Sequence, residues 1–140
     1  VAGVACYNDS KATNVDATLK AFSAFGSARP IVLLGGHDKG TDLAPLVAAA
    51  HERAKAVVIF GEARERFLAA FGGECSGEDG MLAVIAANHM EDALDAGLAA
   101  AAPGDVLLLS PACSSFDEFT CYEQRGDVFK ELVAVRSAKA

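Results

Sequence analysis

A chain of 140 residues, 52% hydrophobic and 22% charged, has the size and make-up of one globular domain with a single expected core, and excludes intrinsic disorder. Its formal net charge of −7 is spread without a run of like charges; this argues against a nucleic-acid partner and requires any anionic ligand to be held by a few local Lys, Arg or backbone N–H groups. No apolar run approaches the roughly 18 residues of a bilayer span and no basic-then-apolar leader opens the chain, so the expectation is a soluble, untargeted, cytoplasmic chain without membrane contact.

Short β-branched runs alternate with longer alanine-rich stretches at helical spacing, which is the pattern of βα units. The predicted class is α/β, a Rossmann-like, mostly parallel sheet with helices on both faces. In chain order, a strand Val4 to Tyr7 leads to a helix capped by Asn14 and running to about Phe25, with Val15, Leu19, Phe22 and Phe25 on one face. Arg29-Pro30 resets the chain for a strand Ile31 to Leu34, followed by a helix Leu43 to Ala54, a strand Ala56 to Phe60 and a helix Ala63 to Phe71. Gly72 to Gly80 reads as a flexible loop. A strand Leu82 to Ala86, a helix Glu91 to Ala101, a strand Val106 to Leu109 and a helix Tyr122 to Arg136 complete the chain. Several strands are continuous apolar runs, as expected when both faces are covered.

Ligands of open parallel sheets bind at the carboxyl ends of strands, where loops lead into helix N-termini. Three loops qualify. The first, Asn8-Asp9-Ser10-Lys11-Ala12-Thr13-Asn14, concentrates polar groups beyond what capping by Asn14 uses, and leaves Lys11 beside Asp9 for a ligand. The second, Gly35-Gly36-His37-Asp38-Lys39-Gly40-Thr41, is no nucleotide P-loop, because Lys39 precedes the last glycine, yet a lysine there suits a carboxylate or phosphate. The third runs Ser110-Pro111-Ala112-Cys113-Ser114-Ser115-Phe116-Asp117 and continues through Phe119 to Tyr122-Glu123-Gln124-Arg125-Gly126. It offers hydroxyls and N–H groups to a carboxylate, although Ser-Pro is also a turn initiator and Phe116 and Phe119 also suit a core.

Other chemistries find less support. Cys113 has no base partner to make it a nucleophile, and the four cysteines have neither a C-x-x-C pair nor zinc spacing, so reduced thiols are expected. His51-Glu52 lacks the second histidine of a zinc-binding helix, His89 is read as support for an Asn88 cap, and Glu78-Asp79 and Glu91-Asp92 read as solvent-facing pairs. No metal site is expected.

Taken together and in this order, the three loops resemble the C-terminal domain of the Mur ligases over essentially the whole chain. Members adding L-alanine or a diamino acid typically show Asp-Tyr-(Ala or Gly)-His in the first loop, and folylpolyglutamate synthases an Asp-Gly-Ala-His-Asn type. This chain has Asp9-Ser10-Lys11, so it is most similar to the D-glutamate-adding members.

That resemblance implies a bacterial, cytoplasmic enzyme of peptidoglycan synthesis. ATP, with Mg2+, phosphorylates the terminal carboxylate of UDP-N-acetylmuramoyl-L-alanine, the amine of D-glutamate attacks the acyl phosphate, and phosphate leaves. Charge gathers on oxygens, so fixed cations and donors matter most. By the same resemblance, Lys11 and Lys39 are the catalytic candidates. Asp9, Lys11 and Thr13 contact the nucleotide, while Thr13, Lys39, Ser115, Phe116 and Tyr122 line the D-glutamate site. The family keeps its phosphate cradle and magnesium ligands in a central domain and its UDP site in an N-terminal one, so the other partners are those domains, and residues 1–140 alone are expected to be inactive. The competing expectations are a stand-alone Rossmann-like binding module and a sister Mur-type ligase of changed specificity.

Overall fold

Five apolar runs form the strands β1 (Ala5–Asn8), β2 (Ile31–Gly35), β3 (Ala56–Phe60), β4 (Ala83–Ala86) and β5 (Val106–Leu109). The stretches between and after them form the helices α1 (Val15–Ala24), α2 (Ala44–Arg53), α3 (Arg64–Phe71), α4 (Met90–Ala100) and α5 (Tyr122–Lys139). This computed structural model describes residues 1–139 apart from the Asp79 side chain, so half of the expected Glu78-Asp79 solvent-facing pair lies outside the described residues.

All strand pairings are parallel, in the order β1-β5-β2-β3-β4. Alternation along the strands divides the core in two. Val32, Leu34, Val57, Ile59 and Leu108 point to one face, where Val15 and Phe22 of α1, Leu46 and Ala50 of α2, and Phe67 and Phe71 of α3 cover them. Ile31, Leu33, Val58, Phe60, Leu107 and Leu109 point to the other, under Met90, Ala93 and Leu94 of α4 and Phe129 of α5. The chain thus walks from β1 to β4 with its helices on one face, then returns under the other face to insert β5 between β1 and β2. The loop that comes last in sequence therefore lies between the first two in space.

Local signals account for several ends. Asn14 Oδ1 accepts from Ala17 N at 2.8 Å and caps α1. β1 is an edge strand whose Ala5, Tyr7 and Asn8 are exposed, and Tyr7 meets the ring of Phe25 edge-on at 5.2 Å. One expectation needs correcting, at α4. The residue flanking α4 is His89 rather than Asn88: His89 N–H donates to Asp92 Oδ2 at 3.1 Å, while Asn88 Oδ1 accepts from Arg64. Asp92 reaches back three residues because the first helical N–H groups lack partners of their own.

Candidate functional site

The three loops form one interlocked surface at the carboxyl ends of β1, β5 and β2. Ala112 N donates to Ala12 O at 3.0 Å, tying the third loop to the first. Gly35 N donates to Pro111 O at 3.0 Å and His37 N to Ser114 O at 2.9 Å, tying it to the second. Gly36 is required at this crossing, since its φ is +138° and an added Cβ would fall 2.4 Å from Ser114 O.

Within that surface Lys39 Nζ donates to Thr13 O at 2.9 Å, so residues 26 apart in sequence are joined. One donor of the ammonium is used and two remain for a ligand. The second loop is braced from α3, where Arg66 Nη1 meets Asp38 Oδ1 at 3.1 Å and Arg66 Nη2 donates to Thr41 O. Asp38 Oδ1 also accepts from Gly40 N at 2.9 Å. This bracing holds the exposed Lys39 on a shaped loop.

Ser114 and Ser115 are 6% and 1% exposed, and their Oγ atoms have no hydrogen-bond partner among the described residues. A buried hydroxyl left without a partner costs about 1–3 kcal/mol, so such groups mark a place where a polar partner belongs. The next residue turns outward: Phe116 is 69% exposed, while Phe119 packs against the α4–α5 core. Tyr122, 37% exposed, opens α5. The site therefore combines solvent-facing aromatic rings with buried, unpartnered hydroxyls.

The first loop is fixed from α5 by Arg125, which is 1% exposed. Its Nε donates to Ser10 Oγ at 2.8 Å, Nη2 to Ser10 O at 2.6 Å and Nη1 to Cys113 O at 2.9 Å. Ser10 Oγ in turn donates to Tyr122 O at 2.7 Å. Burial of the guanidinium pulls its pKa down to about 10. Beside this pin lies a cavity of about 400 Å³ whose lining includes Asp9, Lys11, Tyr122 and Gly126. Gly126 lets α5 approach, since a Cβ there would fall 2.8 Å from Asn8 Nδ2. A larger cavity, about 560 Å³, opens at the amino ends of β3 and β4 between Lys55, Cys75 and Met81, away from the three loops.

Cys113 lies inside the site but is inert chemically, because burial pushes its thiol up to about 12 and removes the thiolate at neutral pH. All four cysteines are unpaired. Among the described residues no three metal-ligating side chains converge, and no helix is long and apolar enough to cross a membrane.

Asp9, Lys11, Thr13, Lys39, Ser115, Phe116 and Tyr122 thus fall on one connected group of loops, with Thr13 and Lys39 in direct contact. Ser10, Ser110 and Arg125 lie inside the three loop motifs, but their local sequence assigns them no role. One signal for Arg125 was available: a cation in the first turn of a helix opposes the helix dipole, so its placement serves something other than the helix.

A family model described as the Mur ligase, glutamate ligase domain matches residues 1–113. UDP-N-acetylmuramoylalanine--D-glutamate ligase of Acidobacterium capsulatum is 47% identical over 143 residues, covering 100% of this chain and 29% of that protein. The enzyme of the same name from Salinibacter ruber is 49% identical over 127 residues, 90% of this chain and 26% of its own length. That of Bacillus cytotoxicus is 42% identical over 128 residues, 91% and 27% respectively. The chain spans between a quarter and a third of the length of these relatives.

Proposed function

The chain belongs to the Mur ligase family, in its glutamate ligase domain, and on that premise we propose that it is the amino-acid-binding part of an ATP-dependent ligase joining D-glutamate to UDP-N-acetylmuramoyl-L-alanine. The observation that carries this reading is the interlocking of the three loops, which sets Lys39 against Thr13 and, among the described residues, leaves the buried Ser115 hydroxyl of the third loop without a partner. A small dicarboxylate in a domain of charge −7 needs such fixed donors. Lys39, Thr13 and Ser115 would supply them, with Phe116 and Tyr122 as apolar walls. Ser115 is 1% exposed, so a ligand would reach its hydroxyl only after a local rearrangement.

A carboxylate accepts hydrogen bonds and repels phosphate, so Asp9 would meet a donor group of the nucleotide, its sugar hydroxyls or base amine. Lys11, exposed and beside it, would take the phosphates. The phosphate cradle and Mg2+ ligands are assigned to the rest of the polypeptide, as the family resemblance implies. Closing these loops on that domain would exclude water from the acyl phosphate, and the 140-residue chain alone is expected to be inactive.

Lys39→Ala in the full-length ligase should raise the D-glutamate KM by about tenfold or more, as loss of a charged hydrogen bond does, with the ATP KM unchanged. An unchanged D-glutamate KM removes Lys39 from the site. Preference for D- over L-glutamate in the same assay supports the substrate assignment, and preference for a neutral or diamino acid would make this a sister ligase.

A further inference from the structure

The nucleotide reading of Asp9 leaves open what holds a carboxylate of a surface loop in one orientation. Two contacts reach Asp9 from the end of β5, and a third supports them from α1. Asp9 N donates to Leu109 O at 2.8 Å, which extends the β1–β5 pairing by one residue and fixes the main chain. Ser110 Oγ donates to Asp9 Oδ2 at 3.0 Å. Ser110 is fully buried, and its own carbonyl accepts from Thr18 Oγ1 at 3.1 Å, where Thr18 is likewise 0% exposed. The two hydroxyls lie 3.3 Å apart, and with the Thr18 proton given to the Ser110 carbonyl, the Ser110 proton is free for the carboxylate.

This is a polar chain inside an apolar region, running from α1 through the end of β5 to the first loop. A fully buried hydroxyl aimed at a half-buried carboxylate does more than satisfy itself, because it removes the rotational freedom of the acceptor. Among the described residues Asp9 Oδ1 receives no hydrogen bond, so one oxygen is held by the protein and the other is left for a ligand.

We infer that Ser110 is a positioning residue for nucleotide binding: backed by Thr18, it locks the Asp9 carboxylate so that Oδ1 faces the nucleotide. The inference rests on the nucleotide reading of Asp9. Its physical content is preorganisation, since a carboxylate already held in the bound orientation loses less freedom when the ligand arrives.

The test uses the full-length ligase and compares Ser110→Ala, Asp9→Asn and the double variant in steady-state kinetics, with thermal melting as a control. Ser110→Ala should raise the ATP KM about five- to tenfold and leave the D-glutamate KM unchanged. In the Asp9→Asn background it should add nothing further, a non-additivity that general loosening of the fold does not produce. Thr18→Val, which keeps side-chain shape and removes the hydroxyl, should raise the ATP KM about two- to threefold, and serves if Ser110→Ala does not fold. An ATP KM within twofold of wild type in Ser110→Ala, beside a raised one in Asp9→Asn, overturns the positioning role while the Asp9 reading stands. Equal rises in both substrate KM values, or additive effects, overturn it in favour of a structural role. No effect from Asp9→Asn overturns both.

Discussion

Among the described residues Arg125 is the largest fully buried side chain, and no carboxylate pairs with it. A buried charge of this kind is tolerated only when its donors are occupied, and here three nitrogens bind two carbonyls and a hydroxyl from two different loops. Its worth lies in what it joins, because Ser10 precedes Lys11 and Cys113 leads to Ser115. Arg125→Met keeps much of the bulk and orphans Ser10 O and the Arg125 contact of Cys113 O. Equilibrium urea unfolding should show a loss of about 2–4 kcal/mol. A loss below about 0.5 kcal/mol would mean that water replaces the guanidinium and that the loops do not depend on it.

At the scale of elements, capping and periodicity were legible because both are local. All five strands and five helices were expected in their observed places, with ends displaced by a residue or so, α5 extended to Lys139 and β4 starting at Ala83. Asn14 illustrates why, since the residue that ends the first loop also accepts the free N–H of Ala17. Asn14→Ala should cost about 1 kcal/mol in chemical denaturation, and Asn14→Ser should recover most of it. What sequence reading missed at this scale was edge position. Nothing pairs with the outer side of β1 among the described residues, and that depends on strand order rather than on the residues of β1.

Over the whole molecule, two exposed ion pairs fasten distant segments at pH 7. Lys55 Nζ reaches Asp105 Oδ2 at 2.6 Å across the amino ends of β3 and β5, and Arg136 binds Asp95 at 2.6 Å between α5 and α4. The Lys55 bond, with the N–H of Ala102, holds the Asp105 carboxyl below the usual range, and the Arg136 bond does the same for Asp95. Carboxyl groups depressed in the folded state stabilise it above their unfolded pKa, near about 4, and that contribution disappears as pH falls through the lower folded value. Glu118 acts in the opposite sense, because burial raises its pKa and its contribution is lost as pH rises through that raised value. Asp105→Asn should therefore flatten the acid limb of a melting-temperature profile, by less than about 1 kcal/mol given solvent screening. An unchanged acid limb would show that the Lys55 pair contributes nothing measurable.

The sequence by itself determined the α/β class, the segments that become strands and helices, and three polar loops whose motifs place the chain among the Mur ligases. These rest on short-range properties, namely alternation, helical spacing, capping and the chemistry of contiguous residues. Tertiary structure alone decided that β5 lies between β1 and β2, and so which loops touch. It decided that Phe116 faces solvent while Ser115 is covered, and that Arg125 and Ser110 brace the first loop. Those contacts join residues 101 and 115 positions apart, and a side chain's partner at such a distance is set by strand order and helix packing, which no local pattern encodes.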